Sequence, residues 1–358
     1  MFLHSEPKAF LLKPETGLCG NAAQQINVVG VLRKTGHLSL SRNALGKDMI
    51  EIFLETLPFF AIIALGYGAG KTKFFSEEAT SYITKFVFYF ALSAMLFRFA
   101  ANLSFAELID GRFIAAYLWG TAFVYGLAMA VSFYLGRSVE EAAIEAQCAA
   151  IGNVGFLGIP MLALLMGEEA VKSIMLLLAI DLIVFGSLVV ILITGARDGR
   201  MSIGILKTVG LGLLKNPMIV SIVLGLLWSA SRVPLPGPVN EFVSILGAAA
   251  TPGALFAIGA SLASKSAERI IVPSWLSFCK LVLHPLFVAV GALILFPVDP
   301  YPAAVMIAAA SLPVAGNVYI LAQHYGVAPH RVSASILVST AVSIVTVSAV
   351  IAWVTTLY

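Results

Sequence analysis

From Met49 to its C-terminus the chain is a succession of apolar runs separated by short polar connections. Each run comes close to the roughly 20 residues that a membrane-crossing helix needs. Inside a bilayer every backbone N–H and C=O must find its partner within the chain, which leaves only helices and closed barrels. The runs are continuously apolar and lack the alternation of barrel strands, so an all-α membrane protein is expected. Composition agrees. Of 358 residues 59% are hydrophobic and 11% charged, against about 25% charged in ordinary domains, and mean hydropathy is +0.96. Ten spans are expected, near residues 50–70, 80–101, 113–135, 142–166, 170–195, 216–231, 240–263, 271–296, 301–325 and 331–357.

Two of these runs are interrupted. Span four carries Gly152-Asn153-Val154-Gly155-Phe156-Leu157-Gly158-Ile159-Pro160, and span nine carries Pro313-Val314-Ala315-Gly316-Asn317. Glycine and proline break a helix at membrane depth, where irregular backbone survives only if it is buried in protein or lines a cavity. Interrupted helices in matching halves of a membrane chain point to a carrier's binding site. The freed N–H ends suit an anion, with Asn153 and Asn317 as uncharged donors and acceptors beside them. Each asparagine on its own is equally well read as a cap on a kink.

An offset of 159 residues relates Pro58 to Pro217, Gly66 to Gly225, Phe97 to Phe256 and Gly167 to Gly326. With five spans per half, the halves enter the membrane from opposite sides, as an inverted repeat. The expected division is a first five-helix repeat at 49–195, a cytoplasmic connector at 196–215 with room for a short interfacial helix, and a second repeat at 216–358. Lys71, Lys73, Arg137, Arg197, Arg200, Lys207, Lys215, Lys265, Arg269 and Arg331 fall in odd-numbered connections, against Arg112, Lys172 and Arg232 in even-numbered ones. The positive-inside rule then puts both termini outside. Residues 1–48 are polar, carry Lys8, Lys13, Arg33, Lys34, Arg42 and Lys47, and lack a signal peptide's apolar core. They are expected to be a disordered tail or a mis-assigned gene start before Met49.

Ionisable residues at membrane depth are functional candidates because burying them is costly. Arg98 and Lys280 either attract an anion or reach for the headgroups, and Lys85 does the latter. His284 lies one helical turn from Lys280, and His324 falls near an interface. Asp181 is a proton-carrying carboxylate, the partner of a cation, or a helix-packing hydrogen bond. Pro58 and Pro252 are expected to shape the cavity wall, Pro252 by unwinding span seven locally. Cys19, Cys148 and Cys279 have no metal or redox spacing. No phosphate-binding loop, zinc-protease or serine-hydrolase motif occurs, and no nucleic-acid pattern. Enzyme chemistry, a metal centre and a cofactor are therefore not expected. Glycines such as Gly204, Gly210 and Gly212 permit a homodimer contact.

The span-four motif, with Leu57-Pro58 to Leu65-Gly66-Tyr67 and Leu312-Pro313 to Leu321-Ala322-Gln323-His324-Tyr325-Gly326, resembles the auxin efflux carrier family over residues 49–358. The resemblance implies ten helices as two inverted five-helix repeats, with crossing broken helices 4 and 9 in a sodium/bile-acid-symporter-like fold. It also implies a scaffold and a transport domain moving as an elevator, in the compact prokaryotic form found in a bacterial inner membrane. By motif match, Asn153 and the break around Pro313 would line the site. The expected function is secondary transport, by efflux or exchange, of a small mono- or dicarboxylate such as malonate or malate. Gly152, Asn153, Gly155, Pro160, Pro313, Gly316 and Asn317 are the candidate substrate contacts, and Asp181, Arg98 and Lys280 the candidates for anion or proton coupling. A sodium-coupled anion symporter of the same fold is the alternative, and a membrane sensor a more distant one.

Overall fold

The computed structural model describes residues 45–102, 110–198, 203–263 and 270–358. The tail before residue 45 and the connection residues Arg200, Lys265 and Arg269 lie outside them. Among the described residues the regular structure is all helical, with one isolated bridge and no strand.

Among the described residues, seven helices are long and apolar enough to cross a bilayer. They are α1 (Leu45–Lys71), α2 (Glu77–Ala101), α3 (Gly111–Tyr134), α6 (Ala170–Arg197), α9 (Gly237–Ala263), α10 (Ile271–Leu295) and α13 (Pro329–Leu357). The connector holds a helix, α7 (Ile203–Lys215), bent by 72° from α8 (Pro217–Ala230), and that pair supplies an eighth candidate. The regions expected as spans four and nine are instead pairs of short helices: α4 (Val139–Ala150) with α5 (Val154–Met166), and α11 (Pro300–Ala310) with α12 (Gly316–Tyr325). The length pattern thus supports a multi-pass membrane protein with two interrupted segments.

Local chemistry sets the boundaries. Ser76, Asp110, Ser138 and Asn216 each accept a backbone N–H in the first turn of α2, α3, α4 and α8, filling donors that a helix start leaves open. Pro217 follows Asn216 at the first helical position, where its missing N–H costs nothing. Pro252 perturbs α9 less than expected. The hydrogen-bond ladder slips at Ala249 and the helix continues as one apolar segment. Wide π turns interrupt α2 at Val87–Ala91, α6 at Asp181–Phe185, and α10 at Cys279–Leu283 and Gly291–Leu295.

Lipid tails offer helices no hydrophobic gain on pairing, so close packing through small residues carries association. On α1, Gly66 presses on Phe256 of α9, with its missing Cβ position 2.1 Å from the Phe256 carbonyl oxygen. On α8, Gly225 presses on Phe97 of α2, its Cβ position 2.7 Å from the Phe97 carbonyl oxygen. Adding 159 to the first glycine and subtracting it from its partner gives the second pair. Helices α2, α8 and α9 pack closely together, and α1 joins them through these glycines. Helices α3, α4, α6, α10, α11 and α13 pack among themselves, with α12 against α13 and α4.

Candidate functional site

The two interruptions are joined to each other. Gly152 and Val314 form an antiparallel bridge. Asn153 N donates to the Pro313 carbonyl at 2.8 Å, and Ala315 N donates to the Ile151 carbonyl at 3.1 Å. Val314 N donates to Ser339 Oγ of α13 at 3.1 Å. Buried backbone groups must be paired, and here each break supplies the partners that the other lost.

Beside this crossing lies a cavity of about 20 Å³, room for a single water. Asn153, Gly155, Asp181, Met218, Gly316 and Asn317 line it. The starts of α5 and α12 both face it. Asn153 precedes α5 without a side-chain capping hydrogen bond, and Ala315 precedes α12. Asn317 Oδ1 and Asp181 Oδ2 are buried without a hydrogen-bond partner. Met218 comes from α8 and the other five from α5, α6 and α12, so the cavity lies where the two packing groups meet.

Of the residues singled out in the sequence, Gly152, Asn153, Gly155, Gly316 and Asn317 therefore converge, with the Pro313 carbonyl tied into the crossing. Pro160 sits at the start of the α-helical part of α5, Ile159–Met166, outside the lining. Arg98 is not brought to the site. Its Nε donates to Asn240 Oδ1 at 3.3 Å, between α2 and α9. Lys85 is exposed above the Tyr82 ring, and His324 is exposed.

Lys280 does not reach for the headgroups. It is 0% exposed and stands behind the crossing, where its Nζ donates to the Ala310 carbonyl at 2.5 Å and lies 3.0 Å from His284 Nδ1. His284 Nε2 lies 3.0 Å from Thr121 Oγ1. His284 Nδ1 also lies 3.2 Å from the Ala310 carbonyl oxygen, so one imidazole touches the lysine, the end of α11 and the threonine. The Tyr117 ring meets the His284 ring edge to face at 5.9 Å, and Tyr117 Oη donates to Asp181 Oδ1 at 2.8 Å. Helices α3, α6 and α10 thus build one buried polar cluster that runs from the cavity wall around to the back of the crossing.

Sequence reasoning missed Tyr117 and Thr121. The one signal was their spacing of one turn in α3, the neighbour of both Asp181 and Lys280. It also missed a second cluster at one end of the molecule. There Glu145 of α4, 3% exposed, accepts from Ser132 Oγ at 2.5 Å and pairs with Arg331, which also pairs with Glu141. Arg137 Nε lies 4.0 Å from the same Glu145 carboxylate.

The family model described as "Membrane transport protein" matches residues 51–351. A protein of Rhizobium meliloti (strain 1021) named "Putative malonate transporter" is 31% identical over 311 residues, spanning 84% of this chain and 95% of that one. The "Uncharacterized transporter YfdV" of Escherichia coli (strain K12) is 25% identical over 302 residues, 81% and 94% of the two chains. The mouse "Lysosomal cholesterol signaling protein" is 24% identical over 286 residues, 74% of this chain but 33% of its own length.

Proposed function

Because the chain belongs to the membrane transport protein family, that of the auxin efflux carriers, we propose that it is a secondary carrier for a small organic anion of the malonate or malate kind. One observation carries this reading: the starts of α5 and α12 face a single cavity that also holds the Asn153 and Asn317 side chains. Two helix starts bring two sets of outward N–H groups and two positive dipole ends. A dicarboxylate can engage both at once, with the asparagine amides donating to the remaining oxygens. The Rhizobium relative's name favours the same substrate class.

Asp181 is the proton carrier of this reading. One of its oxygens is held by Tyr117, the other has no hydrogen-bond partner among the described residues, and the residue lines the cavity. A protonated Asp181 would donate to a bound carboxylate, whereas an ionised one would repel it, and that coupling makes a proton gradient useful. Sodium coupling is the second reading, drawn from the half-helix C-terminal carbonyls that bind cations in such carriers.

The cavity has room for about one water, so loading a dicarboxylate requires its walls to part. A boundary between two packing groups is where an elevator motion would open it, with α1, α2, α8 and α9 as the scaffold. On this reading α4–α5 and α11–α12 are the fourth and ninth of ten spans in two inverted repeats, 49–195 and 216–358. The reciprocal contacts of Gly66 and Gly225 support that pairing. Both termini would face outward from a bacterial inner membrane. Direction, by efflux or exchange, and a homodimer belong to the same proposal.

The test is uptake of radiolabelled malonate into liposomes under an imposed proton gradient. Asn153→Ala is expected to abolish saturable uptake while leaving membrane expression unchanged. Unchanged uptake would remove Asn153 from the site, and no carboxylate transport by folded wild-type protein would overturn the anion reading.

A further inference from the structure

A broken helix has two ends, and the proposed function uses only the N–H ends. The other ends, the C-termini of α4 and α11, present carbonyls and the negative pole of the dipole. In carriers built from discontinuous helices such carbonyls coordinate a coupled cation. Here a side chain already stands there. Lys280 Nζ donates to the Ala310 carbonyl, the last residue of α11. It also packs against Gly152, just beyond the end of α4. A Cβ at Gly152 would lie 3.1 Å from Lys280 Cε, 3.2 Å from Nζ and 3.5 Å from the Ala309 carbonyl oxygen. A side chain at this position would crowd the ammonium by a few tenths of an ångström.

The groups around this ammonium fit a cation. Two are the Ala310 carbonyl and the neutral face of His284 Nδ1. The Asp181 carboxylate is linked to this group through Tyr117, which donates to Asp181 Oδ1 and meets the His284 ring. An ammonium fully out of water persists only with such compensation. Lys280 makes its hydrogen bonds to the half-helix end and the histidine, and Asp181 Oδ2 is left without a hydrogen-bond partner among the described residues.

We propose that Lys280 is a tethered cation occupying the place that a coupled inorganic cation would otherwise take, so that the carrier runs without sodium and acquires a sodium site when the ammonium is removed. This rests on the carrier reading above and decides between its proton-coupled and sodium-coupled forms.

Two measurements test it. In the first, wild-type proteoliposomes take up malonate in sodium chloride and in choline chloride of equal ionic strength. The expected rates agree within about twofold, and sodium-dependent uptake overturns the proposal. In the second, purified wild-type protein and Lys280→Ala are melted in the same two salts. The truncation leaves a space lined by the Ala309 and Ala310 carbonyls. Sodium is expected to raise the melting midpoint of the variant by about 3 °C and to leave that of the wild type unmoved. An equal response of both proteins overturns the proposal. Should Lys280→Ala fail to fold, Lys280→Gln retains the stem and a donor for Ala310. Its uptake is expected to fall at least about tenfold, the effect of a lost charge-assisted bond, and wild-type uptake overturns the proposal. If wild-type protein moves no carboxylate, the carrier reading fails, while the melting comparison still decides whether Lys280 fills a cation site.

Discussion

Replacing Gly66 by alanine tests the α1–α9 crossing on which the scaffold reading depends. The new Cβ would sit 2.1 Å from the Phe256 carbonyl oxygen, 2.9 Å from its carbon and 3.1 Å from Ala260 N. Ordinary contact begins at 3.4 Å, so the helices must separate by about 1.3 Å. All three opposing atoms are backbone, and no rotamer change can relieve the overlap. A gap of 0.5–1 Å forfeits about a quarter to a half of each dispersion contact, and overpacking of this kind costs about 1–3 kcal/mol. Alanine returns about 1 kcal/mol through helix propensity. The expected net loss is therefore about 0–2 kcal/mol. Gly68, two residues along the same helix, has nothing within 4 Å of its Cβ position, so Gly68→Ala isolates the propensity gain. The two variants differ by the overpacking cost alone, so at about 2–4 °C per kcal/mol they should melt roughly 2–12 °C apart in detergent, Gly66→Ala the lower. Gly225→Ala should fall between them, because its nearest overlap is 2.5 Å, with Ala100 Cβ. A Gly66→Ala protein melting level with Gly68→Ala would refute the close crossing.

Two further outcomes follow from the buried polar groups. Asp181→Asn should abolish accumulation driven by a proton gradient while sparing counterflow of labelled for unlabelled substrate, and retained gradient-driven accumulation would remove Asp181 as the proton carrier. Arg331→Ala leaves the buried Glu145 carboxylate with Ser132 and the more distant Arg137 as its partners, a partial loss of a buried pair whose full rupture costs about 3–5 kcal/mol. It should lower the yield of monodisperse protein on size exclusion far more than Arg98→Ala, whose Asn240 bond is long and half-exposed.

The breaks were legible because Gly152, Gly155, Pro160, Pro313 and Gly316 have no other reason to interrupt such apolar runs. Asp181 and Lys280 were legible because ionised groups are rare at that depth. The partners were not. Tyr117 and Thr121 look like any lipid-facing aromatic and small residue until α3 is laid against α6 and α10. Glu145 and Arg331 are 186 positions apart, and the charge rule consumed Arg331 as a loop residue. Arg98 misled for the converse reason: its companion Asn240 is uncharged, so nothing in the sequence marked the pair. The length of α4, α5, α11 and α12 was hidden too, because a half-helix and a full one share the same apolar period.

The bridge between the two interruptions is made of main chain. Its bonds run from Asn153 N to the Pro313 carbonyl and from Ala315 N to the Ile151 carbonyl, and neither depends on what side chain either strand carries. The scaffold of the pocket is thus separable from its upholstery. Exchanges at Asn153, Asn317, Leu178 or Met218 can alter which molecule is welcome without disturbing the junction that holds the two half-sites in register. A lineage built on such a junction can change its cargo by drift at a few positions and still inherit the same machine.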